Sequence, residues 1–240
     1  SNTYSFEQQG WTGICIEAHP DYIDILKKNR PNSHVVFAAA SDKSGTVTFY
    51  TNKRGSLSTL DPSQEEKFKA HGEYFTGFVE REVPMMTLTE ILDDANAPQI
   101  IDVLSIDVEG AEMQVLAGMD WGKYTARVVI IEASDEEEAE VSAYFDRFNY
   151  HKARNYFGNI FFCSNAADAQ TIAEADVTCS VTHTPHPLDK IQQEQQFEII
   201  NSQLILPESY KLPMETKKSS AQWIKKFRYY GKRLAQWLRS

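Results

Sequence analysis

Residues 101–118 read IDVLSIDVEGAEMQVLAG, and the fold turns on how they are read. An apolar run stops at Asp107. Val108, Glu109, Gly110, Ala111 and Glu112 follow, and Met113, Val115 and Leu116 then recur at helical spacing. The pattern predicts a buried parallel strand, a tight acidic turn and a crossover helix. In an open α/β sheet a ligand sits beyond the carboxyl ends of the strands. Asp107 and Glu109 stand at that place.

The flanking sequence repeats the theme. Residues 13–17 (GICIE), 35–40 (VVFAAA), 78–84 and 127–132 read as strands, with helices over 22–29 and 87–92 and after Ser134. A further short helix is expected at the start, ended by Gly10. Thr87 with Glu90 forms a capping box, and Ser134 is placed to cap the helix that follows it. Val47 and Phe49 alternate after a turn at 42–45, as the arm of a hairpin would. Residues 150–157 and 159–163 read as a closing antiparallel pair around Gly158. Strand alternating with helix predicts an α/β fold, a doubly wound, mostly parallel sheet with an antiparallel edge hairpin. Residues 52–77 are polar and punctuated by Gly and Ser, and read as a substrate-side lid. His71 offers a base there, and Tyr74, Phe75 and Phe78 offer faces for a sugar or packing for a core.

Composition narrows the classes. With 240 residues, 42% hydrophobic, the chain can bury a substantial core. Its longest apolar runs fall far short of the roughly 20 residues that cross a bilayer, and no secretory signal opens it, so a cytoplasmic protein is expected. Cys15, Cys163 and Cys179 form no C-x-x-C pair, which argues for reduced, buried thiols. The net charge of −10 is unevenly spread: residues 217–240 hold eight bases and no acid, leaving 34 acids against 16 bases in the first 216. An acidic body argues against a nucleic-acid partner. Trp223, Phe227, Tyr230, Leu234 and Trp237 recur at steps of four, three, four and three, which predicts a basic C-terminal amphipathic helix. That helix suits either peripheral contact with an anionic membrane or packing on protein. Three regions are expected: an α/β domain over 1–163, an extension over 164–216 with an element near 197–206, and the basic helix over 217–240.

Three strands end in an acid, Glu17, Asp107 and Glu132, all expected on one sheet edge. A carboxylate at the end of a strand can accept both hydroxyls of a ribose; it can equally be a solvated strand end. Asp107 can serve a ligand or cap the next helix. His183 and His186 have metal-like spacing, but the proline between them forbids a helical pair, and no metal is expected.

These residues carry a family resemblance. GWTGICIEAHP (10–20), FAAASDKSGTVTFY (37–50), VPMMTLTEIL (83–92), IDVLSIDVEGAEMQVLAG (101–118) and RVVIIEAS (127–134), in that order, resemble the FkbM family of S-adenosylmethionine-dependent methyltransferases. The resemblance spans residues 1–163. It implies the class I methyltransferase fold, S-adenosylmethionine as cofactor, and methylation of a hydroxyl on a sugar, polysaccharide or glycolipid. It also implies that Glu17, with Ala18 beside it, binds the ribose, and that Ala40, Ser41 and Asp42 edge the adenine pocket. Asp107 and Glu109 would face the methionine end and the acceptor, as the catalytic pair. Ser105 stands where the family usually has lysine. The family's first strand and glycine-rich loop would precede residue 1, and no G-x-G occurs in the chain, so the reading expects a fragment or a damaged cofactor site. A non-catalytic remnant acting as a binding module is the alternative. A metal-dependent phosphoryl-transfer enzyme, suggested by the DVEG turn, ranks below both.

Overall fold

The computed structural model describes residues 3–52, 57–70, 72 and 75–175. His71, Tyr74, Cys179, His183, His186, the element expected near 197–206 and the basic helix of 217–240 lie outside the described residues.

The chain folds as a mixed α/β protein whose described strands form three hydrogen-bonded sets. Strand β1 (Gly13–Glu17) runs parallel to β2 (Ser33–Phe37), with Glu17 opposite Phe37. Strand β5 (Phe78–Thr87) lies between β3 (Ala39–Ser41), to which it is parallel, and β4 (Gly45–Asn52), to which it is antiparallel. The third set has the order β6-β7-β9-β8. Here β6 (Ile100–Ile106) and β7 (Thr125–Glu132) are parallel. The hairpin of β8 (His151–Tyr156) and β9 (Asn159–Cys163) closes the set antiparallel, as expected.

One strand expectation needs correction. The run over 35–40 is not one strand. It breaks at Ala38, whose amide donates to the Glu17 carbonyl at 3.1 Å, and the chain then enters a different set. The arm over Val47 and Phe49 does pair antiparallel, with β5, which returns from beyond the excursion and also offers β3 an edge.

The helices explain how the acidic turn is held. Helix α1 (Tyr4–Glu7) buries Glu7, which pairs with Arg30, the residue that ends α2 (Ile23–Asn29). Helix α4 (Leu88–Asp94) starts with the expected capping box. Helix α5 (Glu112–Ala117) buries Val115 and Leu116 in the main core, against Ile106 of β6, Val129 and Ile131 of β7, and Leu88 and Ile91 of α4. Gly118 lets α5 end against β3: a Cβ there would lie 2.0 Å from the Ser41 carbonyl oxygen. The Thr89 amide and hydroxyl both donate to the Gly118 carbonyl, at 3.1 and 3.0 Å. Helix α6 (Glu138–Asp146) starts later than expected, because residues 134–137 form a turn instead. In that turn the Ser134 amide and hydroxyl donate to the Glu137 carboxylate, at 2.8 and 2.7 Å.

Tyr150 latches β7, its hydroxyl donating to the Ala126 carbonyl at 2.7 Å and accepting from the Ala126 amide at 3.0 Å. Beyond β9, helix α7 (Ala166–Glu174) is an element that the sequence reading leaves unplaced. It is capped by Asn165 and tied to β7 by Arg127 and Asp168 at 2.7 Å. Cys163 is free and buried, and Cys15 is free and half-buried. Among the described residues no helix is long and apolar enough to cross a membrane.

Candidate active site

The chain leaves β6 at Ile106 and turns sharply before α5. Glu109 adopts φ 57° and Gly110 φ 99°, so two successive residues sit in the left-handed region. For Gly110 this costs little; for Glu109 it costs on the order of 1 kcal/mol or more. Glu112 folds the turn back on itself, its carboxylate accepting from the Val108 amide at 3.1 Å and the Gly110 amide at 3.0 Å. These bonds settle one alternative. Asp107 is not the helix cap, since Ala111 occupies that position and Glu112 holds the turn's amides. Asp107 is left exposed at the strand end.

The turn brings carboxylates together. Asp107, Glu109 and Glu132 each place an oxygen so that all lie within 4.8 Å of one another. Glu132 arrives at the end of β7, one strand over from β6. A hydrogen bond with Asp107, then burial, then the charges of Asp107, Glu109 and Glu112 push the Glu132 carboxyl up to about 8. Burial, followed by Asp107 and Glu112, raises Glu109 as well, against a smaller opposing pull from Lys67 and the Leu57 amide. Crowding of this kind favours the protonated form of Glu132. Oxygens so close could instead share a cation, but nothing beyond the acids themselves calls for one.

A cavity of about 230 Å³ opens beside this group, lined by Gly110, Glu112, Met113, Glu132, Ala133 and Val141. Ordinary ligand pockets run from roughly 300 to 1,000 Å³, so this one suits a single ring or side group. The hairpin tip stands at the same edge, because Glu132 pairs across the strands with Asn159. At that tip Phe157 has φ 50° and is 79% exposed.

The other residues singled out from the sequence gather at the ends of β1 and β3. The Glu17 carboxylate accepts from the His19 amide at 2.7 Å and from the Ala18 amide, and burial raises its proton affinity. The Ala38 amide ties this strand end to β3, where Ala40 and Ser41 are buried and Asp42 is exposed. The Ser41 hydroxyl donates to Asp42 at 3.2 Å. Glu17 is therefore grouped with residues 38–42, whereas Asp107, Glu109 and Glu132 form the acidic group.

Glu132, expected on the same sheet edge as Asp107, meets it through the β6–β7 pairing. Two contributors escape the sequence reading of the site. Lys67 on α3 (Glu65–Lys69) bears on Glu109 and Glu137, so positive charge comes from the excursion where Ser105 supplies none. Thr59, also in the excursion, bonds to the Glu109 carbonyl. By contrast, Phe75 and Phe78 pack on each other and on Phe68, with ring centroids 4.9 to 6.1 Å apart, and so build the excursion's own core.

A mixed α/β scaffold with polar groups collected beyond its parallel strands is the arrangement in which such folds hold a ligand. The family model for the methyltransferase FkbM domain matches residues 1–164, and the chain belongs to that family. No curated protein and no solved structure matches it.

Proposed function

We propose that the protein is an S-adenosylmethionine-dependent O-methyltransferase, acting in the cytoplasm on a hydroxyl of a sugar, polysaccharide or glycolipid. The observation that carries this reading is the meeting of Asp107, Glu109 and Glu132, with oxygens within 4.8 Å of one another, at the carboxyl edge of an FkbM-domain fold.

The residues present fit parts of the cofactor. Glu17 offers carboxylate oxygens at a half-buried strand end, the chemistry that a ribose diol needs. Ala40, Ser41 and Asp42 lie at the end of the neighbouring β3, on the side assigned to adenine. The acidic group suits a cationic centre. When bound, S-adenosylmethionine supplies an electrophilic methyl on a sulfonium.

Asp107 then accepts the proton of the acceptor hydroxyl as its oxygen becomes nucleophilic. Glu132, held protonated beside Asp107, donates to it as a neutral acid. Glu109, raised by burial, orients the hydroxyl. Phe157 gives a pyranose an aromatic face at the hairpin tip, and the acceptor is held in line mainly by such contacts.

Calorimetry with S-adenosylhomocysteine tests cofactor binding, and transfer of labelled methyl to a panel of hydroxylated glycans tests the reaction. Asp107→Asn abolishing transfer while leaving calorimetric binding within a few fold is the expected result. No transfer and no heat of binding overturns the reading and favours a non-catalytic binding module. We further propose that residues 217–240 contact anionic membrane surfaces, which fits a lipid-linked acceptor.

A further inference from the structure

We propose that Thr59 is a positioning residue for the acidic turn: its hydroxyl holds the Glu109 peptide in the left-handed conformation that aims the Glu109 carboxylate. The proposal deepens the methyl-transfer reading, and its test needs no cofactor, so either can fail alone.

Thr59 is fully buried, and its backbone bonds both ways to Tyr50 of β4, at 2.9 and 3.0 Å. Its hydroxyl oxygen accepts from the Asp61 amide at 3.0 Å, which leaves the hydroxyl hydrogen to donate onward. It donates to the Glu109 carbonyl at 2.7 Å. Asp61 is itself fixed, its carboxylate accepting from the Ser63 amide and hydroxyl at 2.9 and 2.7 Å. Thr59 therefore connects the β4–β5 pairing rigidly to a peptide fifty positions away.

The connection meets strain on both sides. Glu109 has φ 57° and Leu57 has φ 60°, and the Leu57 amide donates to the Glu109 carboxylate. Two residues with large side chains, both in the left-handed region and bonded to each other, persist only where surrounding contacts over-determine them. Gln64 adds a cover, because a Cβ on Gly110 would come within 3.2 Å of its side-chain amide. The charged groups bearing on Glu109 are Asp107 on the same turn, Glu112 on α5 and Lys67 on α3. Glu132 on β7 closes the group.

The test compares Thr59→Val, which removes the hydroxyl, with Thr59→Ser, which keeps it. Hydrogen exchange of the amides at 108–112 and carbon-13 NMR titration of the glutamate carboxyls read the turn directly. In Thr59→Val these amides are expected to exchange at least tenfold faster, and the Glu109 carboxyl, raised by burial in the folded turn, to move back towards the ordinary carboxylate range. Thr59→Ser should match the parent in both. A valine variant indistinguishable from the parent, or a serine variant that behaves like valine, overturns the proposal.

Glu109→Gly supplies a second route, since it relieves the strain that Thr59 is said to hold. Thr59→Val should lower Tm less in that background than in the parent. Equal losses, or failure of Thr59→Val to fold in either background, would make Thr59 an ordinary core residue and overturn the proposal.

Discussion

Glu132 ends β7 beside Asp107, and its raised proton affinity has consequences away from catalysis. The folded chain holds this carboxyl at about 8, against an ordinary value of 4.5. A carboxyl raised on folding binds its proton more tightly in the native state. Its contribution to stability is complete below about pH 4.5 and is lost as the pH rises through about 8. Urea unfolding across that window should show stability falling with pH, and Glu132→Gln should flatten the slope. Asp107→Asn should also flatten it, by removing the first-ranked cause of the shift. Asp107 and Glu109 were legible as site residues because they follow an apolar run that ends abruptly. Glu132 was legible on the same edge as a strand-end acid, but Thr59 and Lys67 were not, because they reach the turn through tertiary contacts that no local spacing encodes.

The elements show where sequence chemistry suffices and where it stops. The capping box of Thr87 and Glu90 depends only on residues three apart, and it forms as read. The closing hairpin, set by two alternating runs around Gly158, also forms as read. The break at Ala38 was hidden inside a continuous apolar run, since the strand on each side suits the same residue types. Helix α5 meets β3 closely enough that Gly118→Ala would need backbone movement, with the added Cβ 2.0 Å from the Ser41 carbonyl. We expect a loss of about 1–3 kcal/mol in thermal unfolding, as for other overpacked sites. Helix α7 rests on a different device, the pairing of Arg127 with Asp168 on a well-buried carboxylate. Asp168→Ala should cost about 2 kcal/mol, the scale of a hydrogen bond to a charged group. It should also raise hydrogen exchange over residues 166–174, with the acidic turn unaffected.

For the whole molecule, charge and strand pairing have separate outcomes. If residues 217–240 contact an anionic surface, the intact chain should float with vesicles containing phosphatidylserine. It should stay behind with neutral vesicles, release in high salt, and lose flotation when that segment is removed, since each base near the surface contributes about 1 kcal/mol. Equal flotation with both vesicle types would rule out the electrostatic contact. The sheets carry the last consequence. Strand β1 is hydrogen-bonded to β2 alone and β6 to β7 alone among the described strands, and Ile100 at the start of β6 is 69% exposed. Proteins usually blunt such borders with lysine, proline or a bulge; on β6 the one charged side chain is Asp102. Among the described strands, these two borders leave the 240-residue chain with edges open to pairing. Its colloidal behaviour, read as light scattering that climbs with protein concentration, should worsen when Asp102→Val removes that charge and improve when Ile100→Lys adds another.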